Sequence, residues 1–191
     1  MKAAVFAYGS LVSAASAAET LGRRSVEPRP AVLRGWRRSF SLGRDNRRCE
    51  KTFARTDDGT IPPLILALNL EPADPGAEVN GALIDVGAAE LERLDLRELR
   101  YDRIEVTGSV SAPGQAGRVF TYVARAENHV PAPPAEAVIL GTYERAVERA
   151  FAALGPGQLQ GYRATTVPCP AERVEAELRS GRIPAGNPRA W

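Results

Sequence analysis

The sequence predicts an α+β protein with a mixed or barrel-like sheet. Short apolar or alternating runs that read as strands outnumber the helical patterns. The helices cluster at the beginning, middle and end of the chain, and no regular strand–helix alternation of the kind that builds a parallel sheet occurs. A chain of 191 residues is expected to fold as one domain, burying about 70% of its unfolded surface with no need of a disulfide or metal staple.

The elements follow in order. Lys2 to Ala7 is a short apolar run ending at Tyr8-Gly9-Ser10, a buried strand entering a glycine-containing turn. Ser13 or Ser16 then caps an alanine-rich helix that ends near Gly22. The charge of Lys2 and the Ala15-Ser16-Ala17 triplet superficially resemble a secretory signal with its cleavage site, but Tyr8-Gly9-Ser10 interrupts the apolar stretch, so an uncleaved strand and loop are expected. Residues Ala31 to Leu42 alternate apolar and basic side chains around Trp36, as in one strand with a wet face, and Asn46 to Gly59 reads as a long loop or hairpin. Leu64 to Leu70 and Val79 to Val86 are further strands, separated by the turn-rich Pro72 to Gly76. Asp85 or Gly87 opens a helix with Ala88, Leu91 and Leu94 on one face, running out around Leu96 to Leu99. Asp102 to Val110 and Arg118 to Arg125 are strands joined by a turn at Pro113-Gly114. Pro133-Pro134 precedes the strongest helical pattern, Ala135 to Leu154, with Ile139, Tyr143, Val147, Ala150 and Leu154 at helical spacing. A last amphipathic helix is expected over Ala171 to Ser180, followed by a Pro/Gly-rich tail in which Trp191 could act as an anchor.

Composition narrows the chemistry. Two cysteines, Cys49 and Cys169, are too few for a secreted disulfide framework and too far apart for zinc-ligand spacing, so a cytosolic compartment and inert thiols are expected. His129 is the single histidine and lies in a proline-rich connection, where a surface or turn role is expected, and a multi-histidine metal centre is impossible. Any catalysis therefore falls to carboxylates. No run of about 18 apolar residues occurs, so no transmembrane helix is expected. The net charge of +2 hides a split, with 11 basic against 3 acidic residues from Arg23 to Arg55 and 10 acidic against 2 basic from Asp57 to Glu98. Two faces that pair in the fold explain this better than a nucleic-acid site, because aromatics do not interleave with the arginines at stacking distance.

Two segments stand out. Tyr8-Gly9-Ser10-Leu11, after a strand and before a helix, offers convergent backbone N–H groups for an anion or a carbonyl oxygen. About 85 residues on, Leu94 to Val106 contains Glu98 near Leu96 and Leu99, where partial burial would raise a carboxylate's pKa; the competing reading is a salt bridge to Arg97, Arg100 or Arg103. Arg34, Arg37 or Arg38 could meet a substrate carboxylate, although arginines alternating along a strand are more often solvated.

Together, Tyr-Gly-Ser-Leu and the later Leu-Asp-x-x-Glu-x-x-Tyr-x-Arg-x-x-Val resemble the γ-glutamyl cyclotransferase superfamily, over roughly residues 3 to 166. The resemblance implies a small mixed β-barrel flanked by helices, with a cavity floored by the Tyr8 to Leu11 loop. It implies that Tyr8, Gly9, Ser10 and Leu11 hold a γ-glutamyl group, that Glu98 is the general acid/base and that Tyr101 contacts substrate. It also implies a small-molecule γ-glutamyl substrate and a reaction needing no metal or other cofactor and no serine or cysteine nucleophile. The leaving group stays open among amine, amino acid and dipeptide, because the segment characteristic of the glutathione-specific branch finds no match in Asn46 to Thr60. A silent binding module of the same fold is the alternative.

Overall fold

The computed structural model describes residues 3–114 and 117–181. Strand β1 (Ala3–Ala7) is buried at every position and lies between neighbours on both sides, which is why it reads as a continuous apolar run. The chain then makes a 3-10 turn at Ser10–Val12 and enters helix α1 (Ala14–Leu21). The Ser13 hydroxyl accepts from the Ser16 N–H, and Gly22, at φ +70°, closes the other end with bonds to the Ala18 and Glu19 carbonyls.

The single strand expected over Ala31 to Leu42 is two, β2 (Arg29–Arg34) and β3 (Trp36–Asp45). Gly35, at φ +77°, turns the chain between them from one sheet to another. The stretch expected as a long loop or hairpin carries a strand, β4 (Lys51–Arg55). Next come β5 (Leu64–Pro72), β6 (Glu78–Val86) and helix α2 (Ala88–Arg97), with Gly87 as its N-cap and Glu98 as its C-cap. The strand expected to reach Val110 stops at β7 (Tyr101–Glu105); a 3-10 turn redirects Val110–Ser111 (β8) to pair with β2, and β9 (Arg118–Ala124) pairs antiparallel with β7.

Two expected helices are corrected. The pattern beginning at Ala135 is helical only over α3 (Gly141–Leu154); Ala137–Leu140 is strand β10, which runs parallel to β5 and to β11 (Glu172–Val174). Ala-Val-Ile-Leu is buried on both faces there, and β-branched side chains suit such a position. The helix expected over Ala171 to Ser180 is β11 followed by β12 (Ala176–Gly181), which pairs with β4. Leu178, which would have marked an apolar helix face, is 52% exposed. Helix α4 (Gln158–Thr165) went unread in the sequence. It packs close to β6: a Cβ on Gly161 would lie 2.9 Å from Asn80 Nδ2.

The strands form a six-stranded sheet in the order β7-β9-β1-β6-β2-β8, a four-stranded sheet in the order β11-β10-β5-β3, and the β12-β4 ribbon. The result is a mixed sheet curled into a half-barrel and flanked by four helices among the described residues. The charge split resolves as paired faces, with Arg29–Asp85, Arg34–Glu78 and Arg37–Glu71 at 2.7, 3.0 and 2.8 Å joining the basic block to the acidic one. Among the described residues no helix is long and apolar enough to cross a membrane. Trp191 and the tail from residue 182 lie outside the described residues.

Candidate active site

Strand β1 delivers Tyr8 to Leu11 to one end of the half-barrel, and the C-terminus of α2 delivers Glu98 to the same place. Tyr8, Gly9, Ser10, Leu11, Glu98 and Tyr101 surround a pocket of about 40 Å³, closed by Leu68, Tyr122 and Tyr143. Ser10, Glu98, Tyr101 and Tyr143 also line a much larger cleft of about 870 Å³ that runs between α1, α3 and the strands. Thus all six residues singled out in the sequence meet at one spot.

Glu98 faces these cavities and also pairs with an arginine, so the two sequence readings coexist. Its Oε1 accepts from Arg97 Nε at 3.1 Å, and its side chain is 16% exposed. Burial raises its pKa above the ordinary carboxylate value, and the Arg97 charge and hydrogen bond oppose that shift without cancelling it. Arg97 is itself buried and donates to Ser10 Oγ at 3.2 Å, Ser16 Oγ at 3.1 Å and Thr20 Oγ1. One guanidinium therefore ties the glutamate to the Tyr8–Leu11 loop and to α1. The Val12 and Ser13 N–H groups turn back to the Gly9 and Ser10 carbonyls. The N–H groups that open such a turn have no partner within it.

The tyrosines are fixed in their neutral, hydrogen-bonding form. Burial is the largest cause raising the pKa of Tyr8, Tyr101 and Tyr143. Tyr8 Oη donates to the Tyr122 carbonyl at 2.7 Å and Tyr101 Oη to the Leu68 carbonyl at 2.8 Å. Tyr8 is thus a peg that seats the loop on β9, and the Tyr101 hydroxyl ties β7 to β5. Tyr143 Oη stands 3.4 Å from where a Gly9 Cβ would be, at contact distance over the loop.

The other candidates fall elsewhere. Arg34 and Arg37 pair with Glu78 and Glu71, and Arg38, contrary to the solvated expectation, is wholly buried against the stacked Phe151 and Tyr162 rings, 4.9 and 4.8 Å from their centres. Burial lowers the Arg38 pKa to about 10. His129 follows a 3-10 turn and holds Glu71 Oε1 at 2.9 Å. Cys49 donates to the Lys51 carbonyl at 2.8 Å, and both cysteines are free thiols. Among the described residues no group of histidine, cysteine and acidic side chains could hold a metal ion. Sequence reasoning treated Arg97 only as a rival salt-bridge partner and Tyr143 only as part of an apolar face. The hints available were adjacency to Glu98 and a polar hydroxyl among aliphatic side chains.

A family model described as "Gamma-glutamyl cyclotransferase, AIG2-like" matches residues 5–145. The chain belongs to that family. Among solved structures, this AIG2-like cyclotransferase family member is similar to an uncharacterized protein from Homo sapiens, at 18% identity over 91% of this chain and 94% of that one, with a TM-score of 0.60. It is similar to a protein described as γ-glutamyl cyclotransferase at 18% identity, 92% and 95% coverage and a TM-score of 0.58. A protein from Arabidopsis thaliana is 29% identical over 65% of this chain, with a TM-score of 0.42; the family member spans only 62% of that relative's length. A search of curated protein sequences returns no match.

Proposed function

We propose that this chain catalyses intramolecular aminolysis of a γ-glutamyl amide, releasing 5-oxoproline and the amine, amino acid or dipeptide attached to it. The observation that carries the reading is the placement of Glu98: a carboxylate with its pKa raised by burial, lining both cavities beside the Tyr8–Leu11 loop. The 40 Å³ pocket has room for a carbonyl or a water or two. The body of the substrate therefore sits in the 870 Å³ cleft and only its reacting end reaches the loop.

Arg97 holds Glu98 at Oε1, and the carboxylate lines the pocket where the substrate's reacting end sits. The carboxylate takes a proton from the substrate's α-ammonium group, and the freed amine attacks its own γ-carbonyl carbon to close a five-membered lactam. Of the three ammonium protons one stays on the lactam nitrogen and two end on the leaving amine, so Glu98 relays both and returns to its ionised form. The loop N–H groups stabilise the tetrahedral oxyanion. Because attack is intramolecular, holding the folded substrate supplies much of the acceleration.

The Arg97–Glu98 ion pair also favours a second reading, a silent module in which the glutamate is a fixed anion. The test is release of 5-oxoproline from a panel of γ-glutamyl dipeptides, γ-glutamylamines and glutathione. Product from at least one class is expected. Binding in calorimetry without any product would overturn the catalytic reading and leave the module.

A further inference from the structure

The part of the cleft outside the 40 Å³ pocket has chemistry of its own. Its walls are mostly apolar, with Leu42, Phe53 and Ile65 from the strands and Ala146, Ala150 and Leu154 from α3. Arg44, on β3, lines the same cleft, and its Nη2 is shielded from solvent with no hydrogen-bond partner. Its guanidinium lies 5.0 Å from the centre of the Phe53 ring, which fixes the plane of the fork. Of the other arginines that line the cleft, Arg97 is held at Glu98 and Ser10, and Arg100 is gripped by both oxygens of Glu50, at 3.0 and 2.8 Å. Burial lowers the pKa of Arg44, and the nearby Arg100 charge lowers it further against Cys49 and Glu50. Nη2 is covered by protein, so a carboxylate entering the cleft would meet the guanidinium at the edge that lines the cleft, gaining a charge-assisted bond there. An arginine fork fits a carboxylate, and it stands here beside an apolar wall.

We propose that Arg44, held by Phe53, is a subsite for a carboxylate on the leaving portion of the substrate. The substrate is then a γ-glutamyl derivative of an amino acid or peptide with an apolar side chain, not of a simple amine. The proposal deepens the cyclotransferase reading and rests on it.

The test uses two probes that differ only in that carboxylate, γ-glutamyl-leucine and γ-glutamyl-(3-methylbutyl)amide. In the native protein kcat/KM should favour γ-glutamyl-leucine by about 10-fold or more, the range of a hydrogen bond to a charged group. In Arg44→Met the ratio should collapse toward one, and Arg44→Lys should restore part of it. A ratio near one in the native protein, or unchanged in Arg44→Met, overturns the subsite. If Arg44→Met does not fold by circular dichroism, Arg44→Gln reads the same ratio. If the native protein converts neither probe and no compound of the wider panel yields 5-oxoproline, the cyclotransferase reading fails. The subsite is then read by calorimetry, where γ-glutamyl-leucine binding at least 10-fold weaker in the variant supports it, and equal or absent binding overturns it.

Discussion

Glu71, at the end of β5, is buried beneath the seam between β3 and the segment carrying His129. Burial is the largest single influence on its carboxyl and pushes the pKa up, but hydrogen bonds from Ser41, His129, Arg37 and Ser39 outweigh it and hold the value at about 2, against an ordinary 4.5. A group whose folded pKa is depressed stabilises the fold above its unfolded pKa and loses that contribution as pH falls through the folded value. A drop of somewhat over two pH units, at about 1.4 kcal/mol each, corresponds to about 3 kcal/mol at neutral pH. Glu71→Gln keeps the shape and removes the charge, so urea unfolding at pH 7 should show the variant less stable by about that amount. The gap should hold down to about pH 5 and then shrink, with less than half remaining near pH 3. A difference that stays constant between pH 7 and pH 3 would refute the electrostatic explanation. The consequence reaches the candidate site because β5 also carries Leu68, whose carbonyl accepts from Tyr101.

Other outcomes follow from the same structure. Gly81→Ala would set a Cβ 2.4 Å from the Ala7 carbonyl oxygen and 2.6 Å from Phe6 Cζ. Backbone cannot yield there cheaply, so thermal unfolding should show a loss of about 1–3 kcal/mol, and displacement of Tyr8 should lower turnover with it. Ser13→Ala removes the cap of α1 and should cost about 1 kcal/mol in urea unfolding; it should also raise KM, since Ser16 and Thr20 on that helix hold Arg97. Because burial raises Glu98 and a general base must be ionised, kcat/KM should fall as pH drops through a midpoint above the ordinary carboxylate range. An acid limb within that range would contradict the burial argument.

How much of this was legible in the sequence depended on distance along the chain. Strand β1, the Ser13 and Gly22 ends of α1, and the start of α2 rest on local patterns, and all were readable as such. The Ala137–Leu140 strand was not, because Ile139 and Tyr143 satisfy helical spacing and only pairing with β5 and β11 selects the extended form. Likewise β12 owes its existence to β4, more than a hundred residues earlier. At the site, Tyr8 to Leu11 and Glu98 could be named from two short motifs. The link between them could not, since Arg97 reaches Ser10 across 87 positions, and adjacency to Glu98 alone suggested a rival salt bridge.

The most direct test is the rate of 5-oxoproline formation by Glu98→Gln beside the native protein. Burial raises the Glu98 pKa, so the group costs the fold nothing below its unfolded pKa, where it is protonated, and a penalty that grows as pH rises toward the folded pKa and is complete above it. The glutamine variant can still accept from Arg97, and its melting temperature at neutral pH should match or exceed that of the native protein. Its turnover should nonetheless drop by about 10²- to 10⁴-fold, the usual contribution of a positioned acid/base. A folded Glu98→Gln protein that forms 5-oxoproline at the native rate would contradict the role assigned to Glu98.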